Sequence, residues 1–209
     1  MNNSHAKSLV VFLHGVGSRG ADLMPLAQAW QPSLPTAAFA APDGPFAFDA
    51  GGADRQWFSI SAVTEANRPQ RIAAARPAFD DTLRGTIEQH GLLNHLDRVV
   101  LVGFSQGSIM ALDAIVSGRW PVGAVVAYSG RLASPRPFMQ TGSPRVLAVH
   151  GAADPVIPAG ASIEAMAALR ELGLDANSHI LPGVGHTITT EGAQLGAAFL
   201  AAALKSEAK

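Results

Sequence analysis

The chain has 209 residues, enough for one globular domain with a substantial core, and it contains no Cys, which excludes disulfides and thiolate metal sites. Its 15 basic and 16 acidic residues give a formal net charge of −1, and the basic residues are scattered, so we expect neither nucleic acid nor an anionic membrane as a partner. The sequence contains no uninterrupted apolar run of about 18 residues and no leader-like N-terminal stretch, which predicts no membrane insertion and a cytoplasmic location.

Short apolar runs alternate with longer Ala-rich stretches at helical spacing, and this alternation predicts an α/β fold. Strands are predicted at residues 9–13, 37–41, 98–104, 122–128, 146–150 and 178–181. Helices are predicted at residues 22–30, 69–90, 106–118, 159–172 and 191–204. Runs such as VVLVGF lack polar alternation, which is typical of strands covered on both faces. We therefore expect one domain, residues 1–209, with a mostly parallel central sheet and helices on both faces.

The segment 42–67 is irregular, because Pro, Gly and Asp dominate it and no long apolar period survives. A connection of this length usually has a function or carries small elements of its own. Within it, Trp57 and Phe58 form the densest aromatic pair of the chain. They either anchor the loop in the core or form the wall of a substrate pocket, and we take both as candidate pocket residues.

The sharpest local signal is the Gly-x-Ser-x-Gly sequence of residues 103–107, where a predicted strand meets a predicted helix. Glycine is needed on both sides because the serine would sit on a tight strand-to-helix turn, where a side chain would crowd the flanking elements. The first turn of the following helix presents unpaired N–H groups and the positive end of its dipole. Ser105 is therefore the candidate nucleophile, with electrostatic support for an oxyanion in the same turn.

A serine nucleophile needs a base and an orienting acid, which in this arrangement follow in the order Ser, Asp, His. Asp154 lies just past the strand predicted at 146–150, and His186 lies in a Gly-rich loop after the last predicted strand. Both would reach the carboxyl edge of the sheet, where open α/β folds place their sites. We therefore predict a triad of Ser105, His186 and Asp154.

Other histidines and acids are weaker candidates for these roles. His14 and His150 each precede Gly at a strand end, where a buried histidine bonded to the backbone is the commoner explanation. Asp113 lies inside the helix after Ser105 and Asp175 lies in a turn. The remaining histidines lie at the N-terminus, at a helix end and its loop, and at a strand start: His5, His90, His95 and His179.

The second half of an oxyanion hole is expected from the loop after the first strand, where Gly15 and Gly17 allow backbone N–H groups to face a ligand. The predicted donors are the main-chain N–H groups of Val16 and Gln106. Residues 15–20 also fit the pattern G-x-G-x-x-G, so a dinucleotide-binding domain is an alternative. Asp43, the acidic residue this alternative would need, comes later than expected.

Six segments occur in the same order as in the phospholipase/carboxylesterase family of α/β-hydrolases, which includes bacterial carboxylesterases and acyl-protein thioesterases. They are LHGVGSRG, APDGP, QWFSI, GFSQGS, HGAADPVIP and GVGHTI, and they span nearly the whole chain. The sequence resembles this family. The resemblance implies an α/β-hydrolase fold, Ser105 as nucleophile, His186 as general base, Asp154 as its orienting acid, Val16 and Gln106 as oxyanion donors, and the Trp57 segment beside the acyl pocket.

Two positions depart from the pattern of acyl-protein thioesterases. Ser18 stands where those proteins commonly have Asp, and Ser108 stands where Gly often follows the nucleophile motif. The departures concern the thioesterase subclass and the pocket shape, and they leave the triad intact. The absence of Cys separates the chain from dienelactone-hydrolase-like relatives, which use a thiol.

The sequence therefore predicts a serine esterase that cleaves a small-molecule acyl ester through an acyl-enzyme, with no metal or organic cofactor. The leaving group, which could be an alcohol, a thiol or a lysophospholipid, is not determined. A non-catalytic ligand-binding module on a hydrolase scaffold is the alternative from another class. An exposed apolar surface would be compatible with a homodimer, although no residue stripe identifies one.

Overall fold

The computed structural model describes residues 7–206, so His5 lies outside the described residues. Its main sheet has six strands, all parallel, in the order β2-β1-β5-β6-β7-β8. The strands are β1 (Ser8–Leu13), β2 (Ala37–Ala40), β5 (Val99–Phe104), β6 (Ala124–Tyr128), β7 (Arg145–Gly151) and β8 (Ala176–Leu181). All six predicted strands are present, and their ends shift by two residues at most.

The five predicted helices are also present. They are α1 (Met24–Trp30), α2 (Arg68–Gln89), α3 (Gln106–Val116), α4 (Gly160–Glu171) and α5 (Thr190–Ser206). A short 3₁₀ turn, Gly20–Leu23, precedes α1 and accounts for the earlier helix start expected there. The predicted mostly parallel sheet with helices on both faces is confirmed.

The alternating direction of the side chains along β1 explains how helices cover both faces of the sheet. Leu9, Val11 and Leu13 pack in a core cluster with α2, α3 and α4, whereas Val10 and Phe12 pack on the opposite face with α1 and α5. Successive side chains of a strand point to opposite faces, so a strand that is apolar at every position requires a helical layer on each face. The continuous apolar runs of the sequence are therefore the cause of the three-layer arrangement.

The irregular segment 42–67 carries two small strands, β3 (Phe46–Ala47) and β4 (Arg55–Gln56), which pair antiparallel. Asp49 lies in the turn between them and accepts hydrogen bonds from the side chains of Gln56 and Ser59 and from the backbone N–H groups of Ile60 and Ser61. This carboxylate holds residues 59–61 in place beside the carboxyl edge of the main sheet.

No helix formed within residues 7–206 combines the length and the apolar character that crossing a membrane requires.

Candidate active site

Ser105 occupies a strained turn between β5 and α3. Its backbone lies at φ 51° and ψ −112°, a conformation that a residue with a Cβ rarely adopts. A Cβ on Gly103 would lie 2.3 Å from the Ser108 nitrogen, and one on Gly107 would lie 1.9 Å from the Leu13 oxygen. Both distances are far below van der Waals contact, so glycine is required at both positions for the turn to close.

His186 and Asp154 are brought together by the end of β7. A Cβ on Gly151 would lie 2.2 Å from the Val184 oxygen, so only glycine lets the loop that carries His186 pack against this strand end. The Ala153 N–H also donates to the Val184 oxygen, at 2.9 Å. His186 Nδ1 then lies 2.7 Å from Asp154 Oδ2. With Nδ1–H donating to the carboxylate, Nε2 is left as the basic nitrogen.

The Asp154 side chain is fully buried, and its other oxygen, Oδ1, accepts the backbone N–H groups of Val156 at 2.8 Å and Ile157 at 2.9 Å. Burial alone would raise the pKa of this carboxyl, but the hydrogen bonds from His186 and from the two amides outweigh burial and hold the pKa below its ordinary value. Asp154 is therefore a fixed negative charge beside the imidazole.

The carboxylate also contacts His150, the histidine for which a structural role was expected. His150 Nε2 lies 2.8 Å from the Ile157 oxygen and 3.1 Å from Asp154 Oδ2, both acceptors, so this nitrogen carries a proton. His150 Nδ1 lies 2.7 Å from Ser162 Oγ. The ring is fully used in structural contacts, and the expected structural role of His150 is confirmed.

Ser105 lies at the same carboxyl edge of the main sheet as the His186–Asp154 pair, since it follows β5 and the pair lies at the end of β7. The ring of Phe104, its neighbour in the chain, lies 4.9 Å from the imidazole of His186, measured between centroids. Among residues 7–206, no hydrogen bond joins the Ser105 hydroxyl to His186. Catalytic hydrogen bonds are often long in a free enzyme and shorten with substrate. The proton path from Ser105 to His186 thus stays a prediction.

Val16 and Gln106, the predicted oxyanion donors, line one cavity together with Ser105. A Cβ on Gly15 would lie 3.5 Å from the Ser105 Cβ, which brings the loop after β1 directly against the nucleophile. Gln106 is the first residue of α3, where a backbone N–H has no partner within the helix. Within the described chain, neither of these two amides takes part in the backbone hydrogen bonds outside helices and strands.

His14 fixes the loop that carries Val16. Its Nδ1 lies 2.7 Å from the Gly15 oxygen, and its Nε2 accepts the Gly44 N–H at 2.8 Å. An imidazole that donates from one nitrogen and accepts at the other is neutral, and burial correspondingly lowers the pKa of His14. The buried, backbone-bonded role expected of His14 is confirmed, and it positions the predicted oxyanion loop.

Trp57 and Phe58, for which core anchoring and a pocket wall were both open from the sequence, have different environments. Phe58 lines the cavity, whereas Trp57 is fully buried and is not among the lining residues. The indole Nε1–H of Trp57 donates to the His14 oxygen at 2.9 Å, and its ring packs edge-on against Phe79. Trp57 therefore packs in the core cluster that includes the buried residues of α2.

The side chain of Gln106 has a structural task that sequence reasoning missed. Its Oε1 accepts the Trp57 N–H at 2.7 Å, and its Nε2 donates to the Phe58 oxygen at 2.7 Å. The amide therefore pairs with the loop backbone as a neighbouring strand would. The sequence does show a glutamine directly after Ser105, but it contains nothing that identifies Trp57 and Phe58 as the partners of this side chain.

The cavity has a volume of about 300 Å³. Its walls are mainly apolar, and two arginines, Arg68 and Arg131, also border it. The apolar lining residues are Val16, Phe58, Ile60, Val63, Ile109, Val156 and Ile157. A mainly apolar pocket lined by the candidate nucleophile and by the residues of the two candidate oxyanion amides is suited to an acyl compound.

The G-x-G-x-x-G segment does not form a phosphate cradle. Asp43 Oδ1 accepts the Gly20 N–H at 2.8 Å, and a Cβ on Gly20 would lie 1.9 Å from the Ala41 oxygen. Asp22 accepts hydrogen bonds from the Ser18 hydroxyl and the Arg19 N–H in the same turn. Two carboxylates already occupy donors that a pyrophosphate would need, so the dinucleotide alternative is not supported.

Residues 1–204 match a family described as phospholipase/carboxylesterase. The chain belongs to this family. The resemblance in the six sequence segments is thereby confirmed, and this phospholipase/carboxylesterase family member is a carboxylic ester hydrolase with an α/β-hydrolase fold.

Individual relatives agree with this assignment. Esterase YpfH of Escherichia coli (strain K12) is 33% identical over 190 residues, covering 90% of this chain and 80% of the relative. Acyl-protein thioesterase 1 of Neurospora crassa is 28% identical, covering 87% of this chain and 81% of the relative. The crystal structure of esterase PE8 superimposes with a TM-score of 0.85 at 38% identity, covering 93% of this chain and 92% of that one.

Proposed function

We propose that Ser105, His186 and Asp154 form a catalytic triad that hydrolyses carboxylic esters through an acyl-enzyme intermediate. The observation that carries the proposal is the 2.7 Å contact between His186 Nδ1 and the buried Asp154, at the sheet edge where Ser105 holds a strained turn. In this arrangement the carboxylate fixes the tautomer of the imidazole and stabilises the cation that forms during the reaction.

The proposed reaction has two halves. Ser105 Oγ attacks the ester carbonyl while His186 Nε2 takes the hydroxyl proton, and the carbonyl π electrons move to the oxygen. The Val16 and Gln106 N–H groups stabilise this oxyanion. The intermediate collapses, the C–O bond to the alcohol breaks, and His186 returns the proton to the leaving oxygen. Water then attacks the acyl-serine with the same proton transfers and releases the acid.

The chemistry is supplied entirely by side chains and backbone amides, so we expect no requirement for a metal or organic cofactor. The cavity volume of about 300 Å³ is at the small end of ligand pockets, which favours short acyl groups over long lipid chains. Carboxylesterases and thioesterases differ in the leaving atom, which is oxygen or sulfur, and the proposed triad could serve either reaction.

A fluorophosphonate probe tests the proposal, because it phosphonylates only an activated serine. The wild-type protein is expected to be labelled and Ser105→Ala is not. Ser108→Ala is the matched control, since Ser108 lies in the first turn of α3, close to Ser105 in the chain, but its hydroxyl donates to the Tyr128 oxygen and Ser108 does not line the cavity. Unlabelled wild-type protein would instead favour the binding-module alternative, and undiminished labelling of Ser105→Ala would refute Ser105 as the nucleophile.

A further inference from the structure

Two arginines converge on the cavity that contains Ser105. Arg68 is the first residue of α2, and Arg131 follows the end of β6. Their side chains are only 16% and 17% exposed. Apolar esters need no such groups, and burying a guanidinium is costly unless something pairs with it. Hydrolysis of an uncharged ester therefore does not explain why Arg68 and Arg131 border this cavity.

Both guanidinium groups contact one carboxylate, that of Glu65. Arg131 Nη1 lies 2.7 Å from Glu65 Oε1, and Arg68 Nη1 contacts Glu65 Oε2. Two positive charges thus share one negative charge. No other charged residue of the described chain lines this cavity, so the arginine end of the cavity carries a net positive charge.

Glu65 is held more loosely than the arginines. Its side chain is 78% exposed, and it belongs to the loop before α2 rather than to a helix or strand. Hydrogen bonds from Arg68 lower the pKa of Glu65, so this residue is an anion at neutral pH. An exposed ion pair contributes little stability, so another anion can displace the carboxylate at small cost.

Arg68 also has unused donor capacity. Its Nη1 contacts Glu65, whereas its Nε and Nη2 take part in no hydrogen bond within residues 7–206. Arginine presents several N–H donors in a planar fork that matches carboxylate and phosphate oxygens. An oxyanion entering from the cavity would find these donors facing an otherwise apolar wall.

We propose that Arg68 and Arg131 bind an anionic oxygen group of the substrate, a carboxylate or a phosphate, in place of Glu65. The enzyme would then prefer an ester whose far end is negatively charged, with the ester carbonyl at Ser105 and the anion at the arginines. This inference depends on the proposed function, since it requires Ser105 to be the reacting end of the same cavity. Glu65 acts as an internal substitute for the substrate anion.

The test compares two esters of equal length, monoethyl adipate and ethyl hexanoate, of which only the first ends in a carboxylate. The measured quantity is the ratio of their kcat/KM values, which cancels differences in folded fraction. Arg131→Gln and Arg68→Gln are each expected to lower this ratio about tenfold to a hundredfold, the range for a lost hydrogen bond to a charged group. Arg131→Lys should restore part of the loss by keeping the charge.

Arg84→Gln is the matched control for lost charge. Arg84 lies on α2 as Arg68 does, but it packs over the ring of Trp120 and does not line the cavity. The ratio for Arg84→Gln is expected to equal that of the wild type. A fall as large as that of Arg131→Gln would mean that overall charge, rather than the arginine pair, selects the substrate, and it would overturn the proposal.

Glu65→Gln separates binding from a purely structural role. If Glu65 competes with the substrate anion, its neutralisation raises the ratio for monoethyl adipate over ethyl hexanoate. If the three residues only hold the loop before α2, the ratio stays constant or falls, and the proposal is wrong. The phosphonate-terminated analogue of the same ester distinguishes the two anions, because the preferred one gives the larger ratio.

Failure of this inference is distinguishable from failure of the proposed function. Hydrolysis of ethyl hexanoate that disappears in Ser105→Ala, together with a ratio unaffected by Arg68→Gln and Arg131→Gln, would refute the anion site and leave the triad standing. Hydrolysis that persists in Ser105→Ala would refute the triad first.

Discussion

Asp113 and Asp154 are both carboxylates with fully buried side chains, yet their surroundings differ in kind. Asp113, in α3, is held by two guanidinium groups: Arg76 donates to both of its oxygens at 2.8 and 3.0 Å, and Arg119 donates at 3.0 Å. Asp154 is held by two imidazoles, those of His186 at 2.7 Å and His150 at 3.1 Å, and by two backbone amides. The charge of Asp113 is fully compensated, whereas that of Asp154 is not.

The difference separates a structural carboxylate from one suited to catalysis. Burial would raise the pKa of Asp113, but the hydrogen bonds from Arg76 and Arg119 outweigh burial and lower it. Those arginines are permanently charged, so nothing in that network changes during a reaction. No arginine contacts Asp154 within residues 7–206, and in the proposed reaction a positive charge that forms on His186 would be stabilised by this carboxylate. The predictions below test this contrast.

The largest expected effect is on activity at Asp154. Asp154→Asn keeps an acceptor for the two amides but removes the charge and the control of the imidazole tautomer. We expect kcat to fall about ten-thousandfold, with a smaller change in stability than at Asp113. Steady-state ester hydrolysis and urea unfolding measure the two quantities. A kcat within tenfold of the wild type would contradict the assigned role.

The opposite result is expected at Asp113. Asp113→Asn leaves Arg76 and Arg119 facing a neutral group, and breaking a buried pair in this way lowers the free energy of unfolding by about 3–5 kcal/mol. Activity per folded molecule should be unchanged. The control is Asp81→Asn on the exposed side of α2, where the shift should stay within about 0.5 kcal/mol. Equal shifts in both variants would show that the network contributes nothing.

A smaller effect is expected at the Gln106 side chain. Gln106→Ala leaves the Trp57 N–H and the Phe58 oxygen without partners, and the free energy of unfolding should fall by about 2 kcal/mol. KM should rise because Phe58 lines the cavity. Gln106→Glu has the same shape, but one of its oxygens would face the Phe58 oxygen. If it behaved like the wild type, the two-bond clamp would be refuted.

The smallest perturbation is a change of pH. His186 must be neutral to act as a base, so activity that depends on it should fall as the solution is acidified. The pKa of Asp154 is lowered on folding, so its contribution to stability is present above about pH 4 and is lost only as the pH falls further. As the pH is lowered, the hydrolysis rate should therefore fall before circular dichroism detects unfolding. A flat rate from pH 5 to 8 would contradict the role of His186.

The sequence predicted the elements that depend on local or strongly periodic signals. The position of Ser105 could be identified from the sequence because a predicted strand, two glycines and a predicted helix follow one another within a few residues. Strand β8 was placed two residues short because it lies at the sheet edge, where exposed and buried positions alternate and the apolar run is weak.

Features that depend on tertiary contacts could not be predicted from the sequence. Nothing in the segment around Trp57 reveals that its ring turns away from the cavity toward Phe79. The shared contact of Arg68 and Arg131 with Glu65 joins the start of α2 to the end of β6. Such pairs are created by the folded chain, so a single sequence contains no local signal for them.

The buried position of Trp57 provides an optical reporter of the catalytic loops. Its indole N–H donates to the His14 oxygen in the loop after β1, and its backbone N–H donates to the side chain of Gln106, which follows the proposed nucleophile Ser105. With Trp30 and Trp120 replaced by Phe, the emission of this single indole would report on both loops at once. Acylation of the serine could then be followed as a spectral change in real time, without a chromogenic leaving group.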